Sequence, residues 1–210
     1  MGSKELSLLE EKLPPTYKKL AGSLAEVGTY MKLPKGYEVL REGQFVKVVP
    51  ILLSGLVKVV TRGEMKDLLL YYIKPGESCM MSFVHALHQR PSTIYATVEE
   101  PSEAILIPAT ELEKLIAESP EFNKLFHDLS NLRYQDLLDT INQVFFLSIE
   151  ERIIKYLNQH SSFTEGESLK LTHQRIANDL GTAREVVSRT LKKLETDQQI
   201  SISREGISLL

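Results

Sequence analysis

The chain has 210 residues, a quarter of them charged and 42% apolar, with a net charge of −3; this is an ordinary globular composition, with room for one large or two modest domains. A single cysteine, Cys79, excludes an intrachain disulfide, and nothing N-terminal resembles a secretory signal, so a reducing, cytoplasmic setting is expected. No apolar stretch reaches membrane-spanning length, since the longest is broken by Pro50, Ser54 and Gly55; internal repeats and low-complexity tracts are absent.

From about Ala25 to Ile107 the chain carries short apolar or alternating runs: Val46 to Leu53, Leu56 to Thr61, Leu68 to Ile73 and Ala104 to Ile107. They are punctuated by Gly36, Gly43, Gly55, Gly63 and Gly76. Short strands with regularly spaced glycine turns predict an all-β roll or barrel rather than βαβ units.

Two helix starts follow. Thr110 with Glu113 has capping-box spacing, and Ser119-Pro120-Glu121 supplies a cap, a first-turn proline and a first-turn acid. The second helix is the long one, with apolar residues Phe122, Leu125, Phe126, Leu129, Leu132, Leu137, Leu138, Ile141, Val144 and Phe145. That face is too wide for one neighbour: half suits the N-terminal domain and half a second chain. The alternative, a core helix buried wholly within its own chain, stays open, because no strict heptad is sustained.

Ser148 with Glu151 is another capping box, opening a helix with Ile149, Ile153, Ile154 and Leu157 at helical spacing. The stretch from Leu171 to Leu191 then reads as two short amphipathic helices broken by Gly181, a helix-turn-helix. Gly181 can take the left-handed conformation that closes the first helix, and Thr182 with Glu185 has the spacing of a capping box that restarts the chain. Small Ala177 and β-branched Val187 face each other where the helices cross; Ile176, Leu180, Val187, Leu191 and Leu194 form the buried stripe. Arg184, Glu185, Ser188, Arg189 and Lys192 are left on the outer face. Arginine can donate two parallel hydrogen bonds to guanine, glutamate can accept from the cytosine amino group, and serine can do either. Lys192 and Lys193 suit phosphates, which set affinity and salt dependence rather than sequence choice. The competing reading is a solvated face laced with pairs such as Glu185 and Arg189. Residues 148–210 are neutral as a whole, yet Ala183 to Thr196 holds four basic residues against two acidic ones. After it, two alternating stretches flank Arg204-Glu205-Gly206, a small hairpin that makes the last sixty or so residues a winged helix.

Three runs carry a resemblance: Leu33-Pro34-Lys35-Gly36-Tyr37-Glu38-Val39-Leu40-Arg41-Glu42-Gly43, then Leu53-Ser54-Gly55-Leu56-Val57-Lys58-Val59, then Ile73-Lys74-Pro75-Gly76-Glu77. With the helix-turn-helix in order behind them, the chain from about Leu20 to Leu210 resembles the Crp/Fnr family of bacterial transcription regulators, the cyclic-AMP receptor and anaerobic-regulator proteins. The resemblance implies an α+β protein: a cyclic-nucleotide-binding-like β-roll (a cupin-like double-stranded β-helix), a long dimerisation helix and a C-terminal winged helix-turn-helix. The expected domains are 1–110 (N-terminal helix and effector roll), 111–147 (linker and dimer helices) and 148–210 (DNA binding). Implied partners are double-stranded DNA with a palindromic operator, a second copy of the chain, RNA polymerase and a small-molecule effector, with no membrane.

Carried over position by position, Arg184, Glu185 and Arg189 match the family's base readers, with Ser188 resembling the anaerobic branch. Thr172, His173 and Gln174 stand where the family contacts phosphate, beside Lys192. Phe122, Leu125, Phe126, Leu129, Leu132, Leu137 and Ile141 fall on the dimer helix. The sensor end departs from the best-known members. Met80-Met81 occupies the place of the Gly-Glu pair that binds the ribose, and the arginine for the cyclic phosphate falls at about Ser92, with Arg90 displaced and followed by Pro91. Lacking that carboxylate and guanidinium, the site argues against cyclic AMP; Cys79, Met80, Met81, Ser82, Arg90, Ser92 and Thr93 are the effector-pocket candidates, with the effector unknown. One cysteine argues against an iron–sulfur cluster, which usually takes four. Haem needs only one or two axial ligands, so His85, His88, His127 and Cys79 remain formal candidates. No metal site and no catalytic residue is expected: HExxH, a phosphate-binding glycine-rich loop and a GxSxG elbow are all missing, which disfavours an enzyme on the roll. The remaining alternative is a ligand-binding module that works through protein contacts without DNA.

Overall fold

A computed structural model describes residues 3–62, 67–161, 168–203 and 205–210, and the chain divides into two compact units. The first comprises Met1–Thr61 and Leu70–Leu137; the second comprises Arg62–Leu69 and Leu138–Leu210, so the division falls inside the long helix.

In the first unit, helices α1 (Ser3–Lys12) and α2 (Ala21–Val27) precede strands β1 (Thr29–Leu33), β2 (Glu38–Leu40), β3 (Val48–Arg62) and β4 (Asp67–Ile73). Helix α3 (Met80–Leu87) separates these from β5 (Tyr95–Pro108). The sheet runs β1-β5-β3-β4, with β2 also paired to β5. Strands β1, β2 and β3 are all antiparallel to β5. The predicted all-β roll is therefore present, closed on one side by helices.

Two cores lie on opposite faces of β3 and β5. Val49, Ile51, Ile105 and Ile107 join Leu20, Leu24, Phe83, Leu112 and Phe122 in a core under the helices. Leu52, Val57, Val59, Ala96, Val98 and Ala104 fill the roll interior with Leu33, Leu40 and Cys79. Burial on both faces explains why β3 reads as a continuous apolar run rather than an alternation.

This arrangement corrects one expectation. Gly55 was expected to be a turn between two strands, yet it lies inside the single 15-residue strand β3. Leu52 pairs with Ala104, whereas Val57 pairs with Val98 and Val59 with Ala96, a slip of one position, and the register shifts lie between Leu52 and Val57. Side chains alternate with a period of two, so Leu52 and Val57 could not both face the roll interior without such a bulge. Gly55 absorbs it with φ of +86°. Gly36, Gly43 and Gly76 do occupy turns, and Gly63 lies outside the described residues.

Helix α4 (Leu112–Glu118) also differs from expectation. A 3-10 turn at Ala109–Glu111 runs directly into it, so Thr110 is already helical and makes no cap, and Glu111 at the α4 N-cap has no side-chain cap bond either. The next start is as expected: Ser119 Oγ accepts from Phe122 N (3.2 Å) at the head of α5 (Pro120–Phe146). Along α5, Phe122, Leu125 and Leu129 are sealed in the core under the roll and Phe126 packs against it edge-on to Phe83. Phe122, Leu125 and Leu129 have no surface left for a second chain, which removes these three from the expected dimer face, while Phe126 is half-buried. Leu132 is half-buried. From Tyr134 onward the apolar side chains are bare: Leu137 is 53% exposed, Ile141 42% and Phe145 76%. The side chain of Val144 is outside the described set.

The second unit holds α6 (Ile149–Ser161), α7 (His173–Asp179), α8 (Arg184–Thr196) and the antiparallel pair β6 (Ile200–Ile202) and β7 (Ile207–Leu209), the expected hairpin. Ser148 and Glu151 form the predicted capping box, with Ser148 N donating to Glu151 Oε2 (2.8 Å) and Glu151 N to Ser148 Oγ (3.3 Å). Ile153, Leu157, Ile176, Ala177, Val187, Leu191 and Leu194 make one core, closed by Ile200 and Ile207 of the hairpin.

A Cβ placed on Gly55 would lie 2.4 Å from the Pro101 carbonyl oxygen and 2.3 Å from Ser102 Oγ, at a φ that L-residues avoid. Gly55→Ala should therefore lower unfolding stability by more than about 1 kcal/mol, read as a lower urea midpoint. An unchanged midpoint would mean that the bulge does not depend on glycine.

Candidate nucleic-acid interface

The crossing of α7 and α8 is built from the turn outward. Gly181 has φ of +62°. Thr182 N donates to Ala177 O (2.9 Å) and Gly181 N to Asn178 O (3.2 Å), the paired bonds of a Schellman ending. Ala177 and Val187 are both fully buried, so the helices meet at the small and β-branched pair. Two residues of α6 hold the end of α7. Tyr156 OH donates to the buried Asp179 carboxylate (2.6 Å), and Arg152 Nη2 donates to Leu180 O (2.5 Å). Burial lowers the Arg152 guanidinium pKa from its ordinary value. Helical spacing alone gave no sign of these two supports, because it locates apolar faces and not the polar groups that cross them.

The start of α8 corrects a second expectation. Its N-cap is Ala183, in extended conformation with no side-chain cap bond, so Thr182 and Glu185 form no capping box. The turn consumes Thr182, and the helix opens one residue later than the pattern suggests. Glu185 is thereby released from capping and stands exposed.

On α8, Val187 and Leu191 are fully buried and Leu194 nearly so, while Arg184, Glu185, Arg189 and Lys192 are exposed on the other side. Ser188 is half-buried and hydrogen-bonded to His173 (2.9 Å). Thr172 caps α7, its Oγ1 accepting from Arg175 N (3.1 Å), and Gln174 Nε2 donates to Asn178 Oδ1 (2.8 Å). Lys193, expected beside Lys192 at phosphates, is instead paired to Glu150 Oε1 (2.6 Å), whose charge and hydrogen bond raise its pKa. The structure thus places Arg184, Glu185, Ser188, Arg189 and Lys192 on one side of α8, with Lys193 exposed and paired to α6.

The effector candidates are not gathered around one space. Cys79 is buried in the roll interior, 3.7 Å from the Tyr71 hydroxyl, whose own pKa is pushed up by burial and by Cys79. Met80 packs into the core under the helices and Met81 against the roll interior. Ser82 is buried, and Ser92 spends its hydroxyl on Ile94 O (3.0 Å) and Ile94 N (3.1 Å). Arg90 and Thr93 face outward. Of the haem candidates, His85 is buried, which lowers its pKa and favours the neutral ring, while His88 and His127 are exposed. Among the described residues no three histidine, cysteine or carboxylate side chains form a metal-binding group.

Beyond the apolar core, the roll is joined to the long helix by Arg133, a residue the sequence did not single out. Its side chain is 9% exposed; Nη2 bonds Glu77 (2.6 Å), Nη1 pairs with Asp136 (2.9 Å), and the guanidinium lies 4.2 Å from the Tyr71 ring centre.

Comparison with known proteins agrees with this architecture. Residues 30–119 match the cyclic nucleotide-binding domain and residues 151–210 the Crp-like helix-turn-helix domain, together most of the chain. The chain is 26% identical over 179 residues to the cAMP-activated global transcriptional regulator CRP of Pasteurella multocida, spanning 81% of this chain and 84% of that protein. A transcriptional regulator of the crp/fnr family from Eubacterium rectale superposes with a TM-score of 0.80 at 22% identity, over 96% of this chain and 93% of that one. The c-di-GMP-responsive global regulator CLP of Xanthomonas campestris superposes with a TM-score of 0.77 at 22% identity, over 89% and 95%. No described helix is long and apolar enough to cross a membrane.

Because Ala183 already has the extended backbone of an N-cap, Ala183→Ser should supply the missing acceptor for the first turn of α8. A gain of about 1 kcal/mol is expected in chemical denaturation, and a loss would show that the N-cap backbone cannot present the hydroxyl.

Proposed function

Since the chain belongs to the Crp/Fnr family of transcription regulators, we propose that it acts as a homodimer on a palindromic operator, under the control of an effector held by the roll. The observation that carries this reading is the face of α8: Arg184, Glu185 and Arg189 stand exposed on a helix whose other side is sealed in the core. Two guanidinium groups and a carboxylate with no structural duty among the described residues match the hydrogen-bonding edges of the major groove. Thr172, His173, Gln174 and Lys192 would meet the flanking phosphates, setting affinity and its salt dependence.

The bare stripe of α5 supports the dimer. Leu137, Leu138, Ile141 and Phe145 are large, exposed and continuous along one helix, and burying each is worth roughly 1.5–3 kcal/mol. A two-fold partner docked there would set two recognition helices about one DNA turn apart, roughly 34 Å.

Cyclic AMP fits this roll poorly. Where the ribose and cyclic phosphate would need a carboxylate and a guanidinium, the chain has Met80, Met81 and a serine, Ser92, bonded to the backbone of Ile94. The effector is therefore of another chemical class. Whatever it is, it acts by binding two arrangements of the dimer with different affinity. Recruitment of RNA polymerase completes the reading.

Arg189→Ala is expected to cost about 1–3 kcal/mol of specific affinity for an operator selected from random duplexes, measured by fluorescence anisotropy. Equal affinity of variant and wild type would refute the base-reading role. No DNA binding by the wild type even at low salt would favour a module working through protein contacts.

Replacing Leu137 and Ile141 together with glutamate should convert a dimer into a monomer in sedimentation equilibrium while the thermal transition persists. A double variant that still sediments as a dimer would place the interface elsewhere.

A further inference from the structure

His173 opens α7 and Ser188 lies in the second turn of α8, and the two are joined across the helix crossing by a 2.9 Å hydrogen bond between Nδ1 and Oγ. Both are half-buried, while Gln174 on the first helix and Glu185 and Arg189 on the second are exposed. A serine hydroxyl has one proton and two acceptor lone pairs. If His173 Nδ1 is bare, Ser188 must donate its proton inward, and only lone pairs remain for a base. If Nδ1 carries a proton, the bond reverses and the Ser188 hydroxyl is free to donate outward.

The state of Nδ1 is governed by the other ring nitrogen, because the hydrogen bond made by one nitrogen selects the tautomer. A phosphate oxygen only accepts. Contact between a neutral His173 ring and phosphate therefore requires the proton on Nε2 and leaves Nδ1 bare. We propose that His173 is a specificity-determining residue that acts through Ser188: its contact with a backbone phosphate fixes the serine hydroxyl as a hydrogen-bond acceptor. Ser188 then selects, on the strand it reads, adenine or cytosine, whose amino groups donate in the major groove, over guanine and thymine, which offer acceptors. A phosphate contact, which by itself carries no sequence information, thereby sets the polarity of a base contact. This inference rests on the DNA-binding reading above.

Operators selected from a randomised duplex library by the full-length protein provide the test. The wild type should show one position per half-site at which adenine or cytosine is preferred by about fivefold, the size of one net hydrogen bond. Ser188→Ala should abolish that preference. His173→Leu should relax the same position to accept guanine and thymine within about twofold, leaving the positions read by Arg184, Glu185 and Arg189 unchanged, and the double variant should match Ser188→Ala. A His173→Leu protein that binds more weakly but keeps every base preference would overturn the proposal and leave His173 a plain phosphate contact. A wild type with no preferred sequence would overturn the DNA-binding reading itself. Nitrogen-15 spectra of the wild-type complex test the same point without a variant: an Nε2–H tautomer with bare Nδ1 is expected, and a protonated Nδ1 would sink the relay.

Discussion

The close crossing of α7 and α8 is the constraint on which the DNA-facing surface depends. Only a residue as small as Ala177 lets Val187 approach, and only a left-handed residue at position 181 turns the chain sharply enough to bring α8 back across α7. Once those conditions hold, the orientation of α8 follows: Val187, Leu191 and Leu194 must face inward, and Arg184, Glu185 and Arg189 must face out. The buried Tyr156 to Asp179 bond and the Arg152 to Leu180 bond then fix the C-terminal end of α7 against α6. Among the described residues Arg184, Glu185 and Arg189 thus spend nothing on holding the helices together, which leaves their hydrogen-bonding capacity for a ligand.

The roll solves a different problem. Its central strands β3 and β5 are buried on both faces, so each must supply two independent apolar sets. On β5 the sets keep a strict alternation, with Ala96, Val98 and Ala104 on the roll side and Ile105 and Ile107 on the helix side. On β3 the parity changes between Leu52 and Val57, where five steps of β3 lie against six of β5, and Gly55, with its positive φ, sits inside that irregular stretch. A sequence pattern reader sees a glycine between two apolar runs and infers a turn. The structure shows that the same signal can mark a register slip within one strand, a distinction made only by the partner strand.

That ambiguity is general in this chain. The Ser/Thr-x-x-Glu patterns at Thr110, Ser148 and Thr182 look alike in sequence, yet of these three Ser148 with Glu151 alone forms a capping box. Thr110 is overrun by a 3-10 turn, and Thr182 is consumed by the turn after Gly181. The spacing encodes a possible pair of bonds, while the backbone of the preceding residues decides whether a helix can start there. The face of α5 shows the same limit. Phe122, Leu125, Leu129, Leu137 and Ile141 share one periodicity, but the first three are sealed in their own core and the last two are bare. Periodicity identifies which side of a helix is apolar and is silent on what covers it. By contrast the buried stripe of the helix-turn-helix was legible, and Arg184, Glu185, Arg189 and Lys192 are exposed as expected, because all its apolar positions close one small core.

Arg133 was illegible for the opposite reason: nothing in its local sequence distinguishes it from a solvated arginine. Its guanidinium is nearly buried and held at once by Glu77, Asp136 and the face of Tyr71, whose hydroxyl reaches Cys79. A buried charge with several partners is costly to strip of one, so such a joint tends to be kept whole or rearranged as a unit. It ties α5 to the turn before α3, the segment that carries the effector candidates from Cys79 to Thr93. On the proposed reading, a ligand that displaced Tyr71 or Glu77 would leave the guanidinium to find other partners. The same helix carries the bare stripe from Tyr134 to Phe146. Arg133 and Leu137 are four positions apart, one helical turn, so on that reading a change of partners at the roll would fall beside the bare stripe.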